Sequence, residues 1–184
     1  MLIVGITGMP GAGKSTAAKV LAKSGLRIIA MGDMIREETR RRNLYPDDNN
    51  MGSVMRELRE KFGAGAVAEL CLRSIRSTEA DIVVVDGIRS MAEVELFRRD
   101  AKVRVLAIWA SPARRFELLK ARGRSDDPQT IESFNARDER EISIGIGAAI
   151  ALADEVVSNE RISISQLGEE ATKVADVWMK SVET

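Results

Sequence analysis

Histidine is absent from this chain of 184 residues, and cysteine occurs only once, at Cys71. The lack of histidine excludes histidine metal sites and means that any acid–base step must use a carboxylate. A single cysteine cannot form an intramolecular disulfide. Its neighbours belong to an apolar stretch with helical spacing, which indicates that Cys71 is a small buried hydrophobic residue rather than a reactive thiol.

The chain also lacks a charge excess and a long hydrophobic run. Lys+Arg and Asp+Glu each total 28, so the formal net charge is zero. Bulk binding to nucleic acid or to an anionic membrane usually needs a cationic excess, so neither partner is expected. The longest apolar run, residues 144–153, is well short of the roughly 18 residues that span a membrane. The N-terminus lacks the cationic stretch of a signal peptide, and we therefore expect a cytoplasmic protein.

Short apolar segments alternate with segments of helical spacing along the chain. Strands are predicted at residues 2–7, 26–30, 82–86, 103–109 and 155–158. Helices are predicted at residues 14–23, 33–43, 50–78, 91–99, 112–122, 129–143 and 163–181. This alternation predicts a single α/β domain, residues 1–184, with a parallel sheet covered by helices on both faces. Two excursions, 33–78 and 112–143, are too long for simple crossovers and are candidates for an acceptor-binding insert and a lid.

A glycine-rich motif follows the first predicted strand and precedes the first helix. Residues 8–15 match G-x-x-x-x-G-K-[ST], the P-loop or Walker A motif. Glycines allow backbone N–H groups to surround phosphate oxygens, Lys14 can bridge the β- and γ-phosphates of ATP, and the Ser15 hydroxyl can bind Mg²⁺. The predicted ATP-binding residues are Gly8, Met9, Pro10, Gly11, Ala12, Gly13, Lys14, Ser15 and Thr16.

Two further motifs follow predicted strands. Asp33 and Arg36, three residues apart, share one face of a helix. Asp33 could accept a hydroxyl proton or orient Mg²⁺-bound water, and Arg36 could hold an acceptor phosphate, although Asp33 is also a natural helix N-cap. Asp86 ends a buried strand in the Walker B manner and is predicted to hold Mg²⁺, through water or directly. Gly87 permits close backbone approach, and Arg89 supplies a second phosphate contact.

These motifs resemble those of nucleoside monophosphate kinases, especially adenylate kinase. This resemblance is found in residues 8–15, 32–36 and 86–89. Residues 153–159 are similar to a segment of dephospho-coenzyme A kinase. The whole chain looks most similar to an archaeal group of adenylate-kinase-related proteins. The resemblance implies a three-layer P-loop NTPase fold with a five-stranded parallel sheet, a helical acceptor-binding insert and a short lid at residues 122–127. It also implies acceptor contacts for Asp33, Arg36 and Arg89.

Basic residues are concentrated in the predicted lid, where they could stabilise the charge of the transferred phosphoryl group. Arg122, Arg124 and Arg137 are the main candidates. A surface ion pair between Arg137 and Glu141, which are four residues apart, is the alternative for Arg137. Further basic residues of the region, with weaker claims, are Arg114, Arg115, Lys120 and Arg140.

Three smaller features are interpreted with alternatives. Residues 40–42 are all arginine, which fits a solvated helix end or a contact with a phosphorylated acceptor or RNA. Gly145 and Gly147 lie among isoleucines and are expected to permit close helix packing. Asn159 falls where the resemblance implies a loop that contacts the nucleotide base.

Three functions remain open at this point. The first is a kinase that transfers the γ-phosphoryl group of ATP to a small nucleotide-like acceptor, such as a nucleoside monophosphate or dephospho-coenzyme A. The second is a nucleotide-dependent ATPase or switch that acts on a protein or ribosomal partner. The third is a kinase for RNA or DNA ends that uses residues 40–42. A GTPase is disfavoured because the chain has no Asn-Lys-x-Asp motif. The oligomeric state stays open.

Overall fold

The computed structural model describes residues 1–124 and 127–181. Five parallel strands form one sheet in the order β2-β3-β1-β4-β5. The strands are β1 (Leu2–Thr7), β2 (Arg27–Ala30), β3 (Ile82–Ile88), β4 (Lys102–Trp109) and β5 (Glu155–Ser158). The predicted α/β fold with a five-stranded parallel sheet is therefore confirmed.

Helices connect successive strands, as a parallel sheet requires. Those in the described ranges are α1 (Lys14–Lys23), α2 (Met31–Arg41), α3 (Asp48–Phe62), α4 (Ala66–Arg76), α5 (Met91–Arg98), α6 (Pro112–Arg122), α7 (Ile131–Ile144), α8 (Ile146–Ala151) and α9 (Ile164–Lys180). Within residues 1–124 and 127–181, no helix is both long and apolar enough to cross a membrane.

Two apolar cores flank the sheet. Alternate residues of β1 point to opposite faces, so Ile3 joins one core while Leu2 and Val4 join the other. Helices α2 to α5 and α8 contribute to the first core, and α1 and α9 cover the second. Because both faces are buried, β1 is an unbroken apolar run rather than an alternating one.

The number of helices in the described ranges differs from the prediction in two places, and other helix ends are shifted by one or two residues. The predicted helix 50–78 is two helices, because α3 ends at Phe62 and the next residue, Gly63, has a positive φ of 86°. The apolar spacing continues on both sides of this glycine, so periodicity alone did not reveal the break. An additional short helix, α8, follows α7 after Gly145, whose φ is 109°. Gly145 therefore ends α7. The expectation of close helix packing was wrong for Gly147, where an added Cβ would meet no heavy atom of the described residues within 4 Å.

The carboxyl ends of β1, β3 and β4 lie side by side, and this edge organises the site. In the register of the sheet, Ile6 is paired with Asp86 and Thr7 with Ala107. The P-loop leaves β1 here, and α2 begins directly after β2 at Met31. Ligands of open parallel sheets bind outside the carboxyl ends of the strands. The motifs predicted from the sequence therefore converge on one edge of the sheet.

Candidate active site

The P-loop has a backbone that only glycine accommodates at three positions. Gly8, Gly11 and Gly13 have φ values of 140°, 81° and 109°. A Cβ atom on Gly8 would lie 2.2 Å from the carbonyl oxygen of Ile108, so a side chain is excluded there by β4 as well. Helix α1 begins at Lys14, and its N-terminus faces the loop, which favours negative charge at this position. The loop is therefore built for phosphate.

Lys14 folds back onto the loop in this structure. Its Nζ donates hydrogen bonds to the carbonyl oxygens of Gly8, at 2.7 Å, and Met9, at 3.1 Å. Burial lowers the pKa of Lys14 from 10.5 to about 8; the Asp86 carboxylate opposes this shift, and the nearby Arg89 guanidinium adds to it. A phosphate beside the amine would raise this pKa again, because it favours the charged form.

Ser15 and Asp86 provide oxygen atoms that suit Mg²⁺. The Ser15 hydroxyl donates to Asp86 Oδ2 at 2.7 Å. The other carboxylate oxygen, Oδ1, is buried and has no hydrogen-bond partner within the described residues. The same residues hold no cluster of three or more potential metal-binding side chains. Magnesium characteristically binds one or two protein oxygens together with substrate phosphates, and the pair fits that pattern.

A cavity of about 240 Å³ opens between the P-loop, the start of α2, the end of β3 and α7. It contains every residue that was predicted to bind the acceptor: Asp33, Arg36, Gly87 and Arg89. Asp33 forms an ion pair with Arg36 while its side chain stays 67% exposed. The N-cap alternative for Asp33 was wrong, because α2 begins at Met31 with Ala30 as its N-cap. Asp33 lies instead in the first turn, facing the cavity.

Arg89 is held by acidic residues that the sequence interpretation missed. Its Nε lies 2.9 Å from Glu141 Oε2, and its Nη1 lies 3.3 Å from the sulfur of Met55. Its backbone N–H donates to Glu93 Oε2 at 2.7 Å, and Glu93 also accepts from Arg59. Glu93 is fully buried. The capping pattern of Ser90 and Glu93 at the start of α5 marks Glu93 in the sequence, whereas Glu141 was considered only as a partner of Arg137.

A second cavity, of about 590 Å³, lies on the other side of the P-loop. Its wall includes the apolar side chains of Leu118, Ile162 and Leu167, together with Thr16 and Asn159. Both cavities share a set of P-loop and basic residues: Gly11, Lys14, Ser15, Lys19, Arg122 and Arg124. Lys19 was missed, although it lies one helical turn after Ser15 on the same face of α1.

Asp127 lies within hydrogen-bond or ion-pair distance of all three predicted lid arginines. Arg122 binds it through Nε at 2.9 Å and through Nη2, and the backbone N–H of Arg124 donates to it at 2.9 Å. Arg137 Nη1 lies 3.8 Å from Asp127, and its Nε lies 3.6 Å from Asp48. Arg137 is buried, so the alternative of a surface pair was wrong. Two residues of the predicted lid turn, 125 and 126, lie outside the described residues.

Other arginines of this region have structural contacts. Arg115 is buried, binds Asp138 through both guanidinium ends, and donates to the carbonyl oxygen of Pro10 at 3.1 Å. It thereby joins α6 and α7 to the P-loop. Arg140 forms an ion pair with Asp48 at the start of α3. These contacts hold the predicted lid region against the rest of the protein.

The arginine run on α2 is largely neutralised by its own neighbours. Glu38 accepts hydrogen bonds from both Arg41 and Arg42, and Arg42 also binds Glu57 on α3. Arg40 is exposed. This arrangement favours the solvated helix end over an RNA contact, because most of the charge is already paired.

Asn159 contacts the P-loop. Its side-chain N–H donates to the carbonyl oxygen of Ala12 at 2.9 Å, and a Cβ on Gly13 would lie 2.6 Å from that nitrogen. Its backbone N–H donates to Trp109 at the end of β4. Asn159 therefore anchors the phosphate loop to the β4–β5 edge, and its contact with a base stays a prediction.

Comparisons with known proteins agree with this geometry. The sequence model of the AAA domain matches residues 7–135. A UPF0200 protein of Methanocaldococcus jannaschii is 49% identical over 88% of this chain and 83% of its own length. A UPF0200 protein of Hyperthermus butylicus is 42% identical, covering 94% of this chain and 92% of the relative. The names of these relatives state no reaction.

Solved structures share the fold at low sequence identity. The shikimate kinase of Bacteroides thetaiotaomicron superposes with a TM-score of 0.63 at 17% identity, covering 95% of this chain and 98% of that one. A sugar kinase of Janibacter gives a TM-score of 0.56 at 17% identity, with coverages of 96% and 95%. The predicted resemblance to an archaeal kinase-related group is confirmed: the chain belongs to the UPF0200 family, carries a P-loop AAA domain that implies nucleotide binding, and has the fold of small-molecule kinases.

Proposed function

We propose that this protein is a kinase that transfers the γ-phosphoryl group of ATP to a small nucleotide-like acceptor. The observation that carries the proposal is the meeting of two cavities at the P-loop. The larger cavity has an apolar wall suited to a nucleoside, and the smaller one contains the arginines suited to an anionic acceptor. Lys14 and Ser15 lie where the cavities join, which is where a phosphoryl group would pass from donor to acceptor.

The donor side is assigned to ATP. The backbone N–H groups of the P-loop, the N-terminus of α1 and Lys14 would bind its phosphates. Its nucleoside would lie in the larger cavity against Leu118 and Ile162. Ser15 and Asp86 would hold Mg²⁺, which when bound neutralises charge on the phosphates.

The acceptor side is assigned to residues of α2 and the β3–α5 turn. Arg36 and Arg89 would bind an anionic group of the acceptor, because guanidinium groups form paired hydrogen bonds with phosphate or carboxylate. Asp33 would orient a hydroxyl acceptor and receive its proton; a phosphate acceptor needs no such base. Arg122, Arg124 and Arg137 would stabilise the negative charge of the transferred group. Most of the acceleration would then come from positioning and electrostatics.

The test is transfer of labelled phosphate from ATP with Mg²⁺ to a panel of acceptors. The panel contains nucleoside monophosphates, dephospho-coenzyme A and short RNA, with hydrolysis in the absence of acceptor as the baseline. We expect one small acceptor to be phosphorylated. Lys14→Ala should abolish transfer, and Arg36→Ala should raise the KM for the acceptor at least about tenfold, the value of one lost charged hydrogen bond. Arg98→Ala, an exposed arginine outside both cavities, is the matched control.

Three outcomes would contradict the proposal. ATP hydrolysis at one rate with and without every acceptor would indicate an ATPase or switch that acts on a partner. Transfer to RNA ends, weakened by salt, would indicate the end-kinase alternative. Wild-type turnover by Lys14→Ala would exclude the P-loop mechanism altogether.

A further inference from the structure

A buried carboxylate, Glu141, lies in the wall of the acceptor cavity. Its side chain is 3% exposed, and the same cavity is lined by Lys14, Arg36 and Arg89. A carboxylate repels phosphate, and its burial costs free energy unless donors surround it. Phosphate binding alone therefore does not account for an acidic side chain at this position.

The contacts of Glu141 leave hydrogen-bonding capacity unused. Arg89 Nε lies 2.9 Å from its Oε2, which makes an ion pair. That oxygen nevertheless accepts no hydrogen bond of acceptable geometry within residues 1–124 and 127–181. This oxygen is shielded from solvent, but the Glu141 carboxylate lines the cavity and offers about four lone-pair sites, so a ligand that enters beside Arg89 can donate a hydrogen bond to it in addition to Arg89.

Holding Arg89 in place does not account for Glu141 by itself. The backbone of Arg89 is already fixed by Glu93, and its Nη1 also contacts Met55. The pair of Arg89 and Glu141 instead presents a positive and a negative group side by side in one cavity. A ligand that matches both must carry an anionic group and a hydrogen-bond donor.

We propose that Glu141 determines acceptor specificity by accepting a hydrogen bond from a hydroxyl or amine group of an acceptor whose anionic group binds the arginines. This inference rests on the proposed function and narrows it to phosphate esters that carry such a donor. A ribose hydroxyl and an amine on a base both have the required chemistry, and the ligands below separate them.

The test is binding of three phosphate esters to the full chain at pH 8. A non-hydrolysable ATP analogue with Mg²⁺ first fills the P-loop, so that the esters can reach only the acceptor cavity. Methyl phosphate has no donor as a dianion, ribose 5-phosphate has hydroxyl donors, and AMP adds an amine. Dissociation constants are measured by calorimetry for the wild type, for Glu141→Gln, and for Glu139→Gln, which is exposed on the same helix.

We expect the wild type to bind AMP at least about tenfold more tightly than methyl phosphate, as one hydrogen bond to a charged group allows. Glu141→Gln should lose most of this preference, because a neutral amide oxygen accepts a weaker hydrogen bond than a carboxylate, while it binds methyl phosphate as well as before or better. Glu139→Gln should behave as the wild type. Equal preference for ribose 5-phosphate and AMP would assign the donor to a hydroxyl, and preference for AMP alone to the amine.

Three results would overturn the proposal. If the wild type shows no preference for esters with a hydroxyl or amine, then no residue of the cavity accepts a hydrogen bond from that group. Equal weakening of all three esters in Glu141→Gln shows that Glu141 only holds Arg89. Equally tighter binding of all three esters in Glu141→Gln shows that Glu141 only offsets the positive charge of the nearby arginines and lysine. Should the Gln variant fail to fold by circular dichroism, Glu141→Asp gives the same comparison with the carboxylate withdrawn by one methylene. Because binding is read without transfer, loss of the kinase reaction with the preference intact would reject the proposed function alone.

Discussion

At the scale of single residues, Lys14 carries the strongest electrostatic signature. Burial brings its pKa down to about 8 in the folded protein, against 10.5 for an unperturbed lysine. Between these values the unfolded chain holds a proton that the folded one lacks, so this residue makes folding more favourable as pH rises through that window. Bound phosphate raises the pKa of Lys14, because it favours the charged amine.

Nucleotide binding should therefore take up a proton above pH 8 and none at pH 7. Calorimetry of ATP binding in two buffers of different ionisation enthalpy measures this uptake. At pH 9 we expect uptake approaching one proton, with an affinity that falls by up to about tenfold per pH unit. Lys14→Arg is the control, because its guanidinium keeps its charge and should show no uptake. Uptake of zero at pH 9 in the wild type would contradict the assignment.

At the scale of secondary structure elements, two glycines near one another have opposite roles. Gly145 joins α7 to α8 with a φ of 109°, and a side chain there is strained in any surroundings. Gly147 lies inside α8 and is exposed, and a Cβ added to it would meet no heavy atom of the described residues within 4 Å. The backbone conformation therefore requires glycine at position 145 but not at position 147.

Alanine substitutions should separate these roles. Gly145→Ala should lower the free energy of unfolding by at least about 1 kcal/mol, because the left-handed conformation disfavours a Cβ. Gly147→Ala should raise it by up to about 1 kcal/mol through helix propensity. Urea unfolding followed by circular dichroism measures both. Equal effects of the two substitutions would show that the turn after α7 does not depend on the left-handed conformation.

At the scale of the whole molecule, Cys71 reports on the integrity of the core. It is fully buried in the core on one face of the sheet, and burial, with a smaller contribution from Glu93, raises the pKa of its thiol to about 12. A buried, protonated thiol reacts only after the fold opens. Since it is the one cysteine of the chain, its labelling measures opening of that core alone.

ATP with Mg²⁺ should slow the labelling of Cys71, because a ligand that binds the folded state lowers the open fraction. At a concentration 100 times the dissociation constant, the rate should fall about 100-fold if labelling requires global unfolding. The reaction is followed with a chromogenic thiol reagent at pH 8. Lys14→Ala should lose most of the protection. Labelling as rapid as that of a free thiol, with or without nucleotide, would contradict the buried position.

Local motifs made much of this protein predictable from its sequence. The P-loop, Asp86 and the strands are encoded within short segments, because backbone conformation and burial on both faces of a sheet limit which residues fit. Because β1 and β3 are parallel neighbours, their carboxyl ends lie together, and this proximity follows from the topology alone. Asp33 and Arg36 entered the cavity for the same reason, since α2 follows β2 directly.

Only the tertiary structure decided which charges meet. Glu141 joins Arg89, Asp127 joins Arg122, and Asp48 joins Arg140. Partners such as Arg89 and Glu141 are remote in sequence, and an ion pair depends on distances of a few ångströms that are set by how helices pack on the sheet. The sequence by itself thus determined the fold and the phosphate site. The packing of α3 and α7 decided which charged residues line the proposed acceptor cavity, because burial and proximity, rather than residue type, set what a charged side chain does.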